Sequence, residues 1–379
     1  MIAGIYFTYG LVALLLVVNA LRRPTPPTHR LPPLWLAGMI TSEAAGLWLA
    51  VVPLVSLIAW WGGAFDSRVG VVGGGVAAAA WLGQLEVWRR SRISIRRIGP
   101  PIPLDGPLRQ RLVGFVPDPP ADVERRVVAL APHPHRTGDL EMDVYRRSGS
   151  GDPQPLIIFV HGGGWRGGHR RQTSQLTLFH LARRGWTTAA IDYPLSPGAT
   201  FPEHLMGIDS ALAWANDSPD IEGPIVLMGA SAGAHLAAVA ALTRPEVHAF
   251  IGLYGIYDFL NRHRTRVNWP VIPRAVMKAT PADDPEGYRL ASPYDLATPE
   301  APPFLLVTGD YDSLVHPDET RTFVRLLDEI GAEATLLEVP WGQHAFDALS
   351  GLRARAVAGR IAEWLDRLVK RDLERETRP

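Results

Sequence analysis

Hydrophobic positions fall into three regimes along this chain. From Ala3 to Ala20, from Ala45 to Phe65 and from Val69 to Leu85 there is no charged side chain. Crossing the roughly 30 Å of bilayer hydrocarbon takes about 20 helical residues. The pattern therefore predicts a helical transmembrane region over residues 1–98, with about three helices at 3–20, 36–62 and 69–88. A two-helix hairpin, Leu34–Trp61 and Val69–Trp88, is the alternative. Residues 99–122 form a second regime, with prolines at positions 100, 101, 103, 107, 117, 119 and 120. Proline removes backbone donors and favours extended structure, so this stretch reads as a linker or a wrapping segment.

The third regime, 123–379, alternates short apolar runs with longer amphipathic ones. Strands are expected at Arg125–Ala131, Leu140–Arg146, Leu156–Val160, Thr187–Asp192, Ile225–Met228, Ala249–Tyr254, Phe304–Thr308 and Thr335–Val339. Helices are expected at Gln172–Arg184, His204–Asn216, Ala232–Thr243, Pro317–Ile330 and Arg353–Leu373. The first two strands have no helix between them and read as a hairpin. Later alternation implies right-handed crossovers and a mostly parallel eight-stranded sheet, covered by helices on both faces. The connection at 257–302 is too long for an ordinary turn and suits a small cap over a pocket, or a peripheral excursion with its own satellite core.

Chemistry concentrates at the ends of the apolar runs. Gly229-Ala230-Ser231-Ala232-Gly233 lies between a strand and a helix, the setting of a nucleophile elbow, where small flanking residues leave a serine hydroxyl exposed. Upstream, Pro155–Val160 empties into His161-Gly162-Gly163-Gly164-Trp165. Glycines there let backbone N–H groups approach a substrate closely. The N–H groups of Gly163, Gly164 and Ala232 are candidate donors to an oxyanion. A phosphate loop would need Gly-Lys-Ser/Thr after the glycines, and none follows.

A nucleophilic serine needs a base and a carboxylate that orients it. Asp310 and Asp312 both follow a predicted strand, and Asp312 is the favoured carboxylate. Of twelve histidines, His344 alone follows a late strand within a Gly-containing turn, so it is the candidate base. His161 is expected to shape its own loop, His235 to pack on the elbow helix, and His316 to cap or face the helix after Pro317. Trp165, Trp269 and Phe346 are candidate pocket residues.

With these motifs, residues from about Val123 to Leu368 resemble an α/β-hydrolase of the esterase/lipase group related to hormone-sensitive lipase. His161–Trp165, Gly229–Gly233, Asp312 with Leu314, and His344 with Phe346 carry the likeness. Leu140–Tyr145, Asp192–Pro197, and Phe201-Pro202 leading to Asp209 add to it. His-Gly-Gly-Gly-Trp is also similar to broader carboxylesterase, feruloyl-esterase-like and formamidase-like relatives. The resemblance implies an α/β-hydrolase fold and a serine hydrolase that needs no metal or organic cofactor. Its expected substrates are acyl esters, either small molecules or lipids. Amides, formamides, peptides and acyl transfer are alternatives, as is a catalytically dead, membrane-tethered binding protein.

Composition narrows the picture further. The chain has 379 residues and zero formal net charge, so no nucleic-acid footprint is implied. It has no cysteine, which excludes disulfides and a thiolate nucleophile. The N-terminus lacks the basic region of a secretory signal, and the first apolar segment ends in Leu21-Arg22-Arg23, as a retained anchor would. Arg22, Arg23 and Arg30 follow the first segment, and Arg89, Arg90, Arg92, Arg96 and Arg97 follow the third. The positive-inside bias then puts the N-terminus outside and the catalytic part in the cytoplasm. Glu43 is the acid nearest an apolar segment. It is expected in the headgroup layer, with the second span beginning near Gly46, or else as a functional acid within hydrocarbon.

Overall fold

The computed structural model describes residues 1–24, 32–104, 118–266 and 270–376. Eight strands form one sheet: β1 (Val123–Pro132), β2 (Asp139–Arg147), β3 (Gln154–Val160), β4 (Thr187–Ile191), β5 (Ile221–Ala230), β6 (Ala249–Leu253), β7 (Phe304–Gly309) and β8 (Ala334–Val339). Their order is β1-β2-β4-β3-β5-β6-β7-β8. β1 and β2 pair antiparallel, as the expected hairpin, and β2 also runs antiparallel to β4. From β4 to β8 every pairing is parallel. All eight strands thus lie where the apolar runs predict them.

Burial on both faces explains why the central strands are continuously apolar rather than alternating. Leu156, Ile158 and Val160 of β3 face a core shared with helices over Met206–Asp217 and Ala232–Thr243 and with Pro317–Ile330. Ile157 and Phe159 face the opposite core, formed with Gln175–Arg183 and Leu352–Glu376. Among the described residues the long connection has no satellite core of its own. Ile272, Val276, Met277 and Tyr288 join the first of these two cores.

Among the described residues, four α-helices precede the sheet: α1 (Ile2–Leu21), α2 (Pro32–Glu43), α3 (Ala45–Trp61) and α4 (Arg68–Ile98). α1 and α4 are each long and apolar enough to cross a membrane, and α2 with α3 makes a third candidate bent by 90°. α1 packs closely on α4 through small residues. A Cβ on Gly10 would meet the Gly73 carbonyl oxygen at 3.0 Å, and one on Gly73 would meet the Phe7 Cα at 3.0 Å. Such close backbone approach is a common way for helices to associate in lipid.

The second predicted helix, 36–62, is therefore not one rod. It breaks at Ala44, where no proline or glycine stands. A break in apolar surroundings needs partners for the backbone groups it frees. The buried Gln84 amide of α4 donates to the carbonyl oxygens of Thr41 at 3.1 Å and Ala45 at 3.4 Å. The Glu43 carboxylate is enclosed by protein: it meets Arg353 at 2.9 Å, with both side chains about 1% exposed, so it ties α2 to the helix Leu352–Glu376. α4, the third predicted span, runs ten residues past Trp88, carrying its basic end along the helix Leu352–Glu376. Of the proline-rich linker, 105–117 lies outside the described residues. Ile102 exchanges hydrogen bonds with Arg355, so this part wraps.

Candidate active site

β5 ends at Ala230, and the helix α7 (Ala232–Thr243; α5 is Gln175–Arg183 and α6 Met206–Asp217) begins one residue beyond Ser231. The turn is so sharp that Ser231 adopts φ 54°, ψ −119°, a region that costs a non-glycine residue about 1–3 kcal/mol. A side chain at Gly233 would strike the carbonyl oxygens of Val160 and His161, and one at Gly229 would strike the next helical turn. That is why small residues surround the serine.

The Ser231 hydroxyl lies 3.0 Å from His344 Nε2, and His344 Nδ1 lies 2.7 Å from Asp312 Oδ2. A carboxylate can only accept, so Asp312 holds the proton on Nδ1 and leaves Nε2 free to accept from the serine. Asp312 and His344 are 0% and 3% exposed. The other carboxylate oxygen accepts from the Leu314 and Val315 N–H groups, both at 2.8 Å. Of the two aspartates open at the sequence level, Asp310 has another task. It accepts from the Trp341 N–H, and burial raises its pKa.

Gly163 and Gly164 sit at φ 125° and 61°, and a Cβ on Gly162 would lie 3.2 Å from that of Ser231. The loop thus passes directly over the elbow. Among the described residues, the N–H groups of Gly163, Gly164 and Ala232 donate to no acceptor. His161 shapes the loop as expected, its Nδ1 2.7 Å from the Gly162 carbonyl oxygen and its ring stacked on Tyr193. Arg170, just beyond, is tied to Glu141, Asp143 and Asp192.

Other expected residues are placed differently. Trp165 is 0% exposed, donating to His235 Nδ1 at 3.1 Å and packing on Phe259. Phe346 is also 0% exposed, within the core beneath His344. Neither offers surface to a pocket, because each is spent on packing. Trp269 lies outside the described residues. His235 is wholly buried, as expected, and His316 caps the helix Pro317–Ile330 by accepting from the Asp318 N–H at 3.3 Å.

Three contributions are invisible in the motifs. The Tyr254 ring packs against His344 with centroids 4.7 Å apart, and its hydroxyl donates to Asp347. Ser174 donates to the same carboxylate at 2.5 Å. The only cue was Asp347's position three residues after His344. Arg90 and Arg97 of α4 lie over the Trp341 ring at 5.8 and 5.7 Å, and Arg90 also over Tyr311. Both rings belong to the loops that carry Asp312 and His344. Trp35 of α2 meets the His344 ring edge-on, with centroids 5.5 Å apart.

The site geometry agrees with the similarities of the chain. The BD-FAE family profile matches residues 142–327. Esterase LipC of Mycobacterium tuberculosis (strain ATCC 25618 / H37Rv) is 35% identical over 60% of this chain and 62% of its own length. Esterase LipQ of the same organism is 30% identical over 66% of this chain and 65% of its own length. The chain thus spans just under two thirds of the length of these curated relatives. A truncated carbohydrate esterase from gut microbiota superposes with a TM-score of 0.55 at 18% identity, covering 65% of this chain and 98% of that one. The catalytic part is therefore similar in sequence to esterases, and its eight-stranded, mostly parallel sheet with flanking helices is the α/β-hydrolase fold.

Proposed function

We propose that this chain is a membrane-anchored serine hydrolase that cleaves carboxylic esters of hydrophobic acyl substrates. The observation that carries the reading is the continuous hydrogen-bonded line from Ser231 through His344 to Asp312, set beside three backbone donors that meet no acceptor among the described residues. His344 Nε2 takes the Ser231 proton as Oγ attacks the ester carbonyl. Asp312 stabilises the imidazolium so formed. The N–H groups of Gly163, Gly164 and Ala232 receive the oxyanion, an arrangement worth about 3–4 kcal/mol per donor when one is removed. His344 returns the proton to the departing alkoxide. A water molecule, activated by the same histidine, then releases the acid from the acyl-enzyme.

The anchor reading places α1, α3 and α4 across the bilayer, with the N-terminus outside and the catalytic part in the cytoplasm. It draws support from the contacts of the helix ends. Asn19 and Ala20 at the end of α1, Glu43 before α3 and Arg90 near the end of α4 all lie against the catalytic part or its neighbour α2. Arginines flank two of these ends: Arg22 and Arg23 follow α1, and Arg89, Arg90, Arg92, Arg96 and Arg97 lie in the last part of α4. In purified protein, Ser231→Ala is expected to abolish hydrolysis of p-nitrophenyl acyl esters and labelling by a fluorophosphonate probe. Wild-type turnover in that variant refutes the nucleophile.

A further inference from the structure

The ester-hydrolase reading leaves open what shapes the alcohol side of the substrate. The leaving oxygen must come within hydrogen-bond reach of His344 Nε2 to receive its proton. The alcohol portion of an ester therefore emerges beside the His344 ring. Among the described residues, two other rings pack on that imidazole: Tyr254 and Trp35. Tyr254 is 1% exposed with its hydroxyl committed to Asp347, so it has no surface to offer. Trp35 is only partly buried.

The helix that carries Trp35 is held on the site from several directions. Asn19 of α1 donates to the Leu34 carbonyl oxygen at 2.7 Å. Gln343, adjacent to His344, donates to the Ala20 carbonyl oxygen at 3.3 Å, and a Cβ on Gly38 would lie 3.5 Å from its Oε1. The Glu43–Arg353 pair closes the far end. On the other side of α2, Leu36 and Ile40, one turn apart, are 42% and 37% exposed. α2 meets α3 at 90°, so with α3 across a bilayer it lies in the membrane plane. One face then touches lipid and the other the catalytic histidine.

We propose that Trp35 is a specificity-determining residue, forming with α2 the wall against which a bulky apolar alcohol group of a bilayer-resident ester lies. This deepens the ester-hydrolase reading and rests on it. The test uses the full chain in detergent micelles and compares kcat/KM for methyl and octyl butyrate, then for methyl butyrate and methyl decanoate. Trp35→Ala is expected to lower the octyl-to-methyl alcohol ratio about tenfold or more, the size of effect a hydrophobic pocket contact can supply. The acyl-length ratio should move less than about threefold, and Trp35→Phe should keep most of the alcohol preference. An unchanged alcohol ratio, or alcohol and acyl ratios falling together, overturns the assignment. Stoichiometric fluorophosphonate labelling reports an intact site. Should Trp35→Ala fail to label, Trp35→Leu keeps an apolar side chain without the ring and carries the same comparison. Absence of labelling and hydrolysis in the wild type sinks the ester-hydrolase reading itself. A working wild type with unaltered ratios sinks only the role of Trp35.

Discussion

Ser231 is held in backbone geometry that glycine tolerates and other residues resist. Replacing it separates strain from chemistry. Ser231→Ala keeps the Cβ and hence the strain of about 1–3 kcal/mol. Ser231→Gly releases that strain but adds roughly 0.5–1 kcal/mol of chain entropy to be lost on folding. Ser231→Gly is therefore expected to be more stable than Ser231→Ala, by about 1 kcal/mol in denaturant unfolding. Equal midpoints would mean that the elbow stores no strain. The motifs were legible because chemistry restricts them locally: small residues around a sharp turn, glycines where backbone must approach, and a candidate base after a late strand. Trp165 and Phe346 were misplaced for the converse reason. An aromatic beside a motif can face the pocket or the core, and only packing decides which.

At the scale of elements, hydrophobic periodicity placed the strands and most helices well, because each must bury one stripe or two faces. The break at Ala44 was illegible. Its partners, Gln84 and Arg353, lie 40 and 309 residues further on, and the local window is apolar on both sides. Burying two charges costs several kcal/mol apiece, which the pair's mutual attraction offsets only while both are present. Glu43→Ala strands Arg353 and is expected to destabilise the docked structure by about 3–5 kcal/mol. Glu43→Leu combined with Arg353→Met should recover part of that loss. Thermal unfolding in detergent measures both, and a single variant as stable as wild type removes the clamp role. The arginines of α4 teach a similar lesson. Their charge suits a topology signal, yet Arg90 and Arg97 also grip the aromatic rings of the loops that carry Asp312 and His344.

For the molecule as a whole, three buried histidines set the acid limit. Burial lowers the pKa of His161 to about 4, of His204 to about 4 and of His235 to about 3. Unfolding returns each to the ordinary histidine value of 6.5, so below that pH the unfolded chain binds more protons. Stability is then full above pH 6.5 and declines as pH falls toward 4, by roughly 1–2 kcal/mol per histidine at pH 5. Buried Asp258 and half-buried Asp310, whose pKa values desolvation raises, act in the opposite direction. The decline should therefore be clearest in the upper part of this window. Melting temperatures between pH 7.5 and 4.5 test it, with His204→Gln expected to flatten the slope. A pH-independent melting temperature contradicts the neutral buried histidines.

Local sequence was enough for the succession of strands and helices, the sharp Gly229–Gly233 turn, the glycine loop, a candidate base at His344 and the apolar segments long enough to enter a bilayer. All of these rest on local sterics or on hydrophobic period, which a short window contains. The folded chain was needed to show that Asp312, already favoured over Asp310, faces His344. It was also needed to show that the second apolar segment bends and that α2 brings Trp35 onto the His344 imidazole. Those outcomes depend on contacts between residues hundreds of positions apart, whose energies exist only once the sheet has aligned its strand ends and the N-terminal helices have docked beside them.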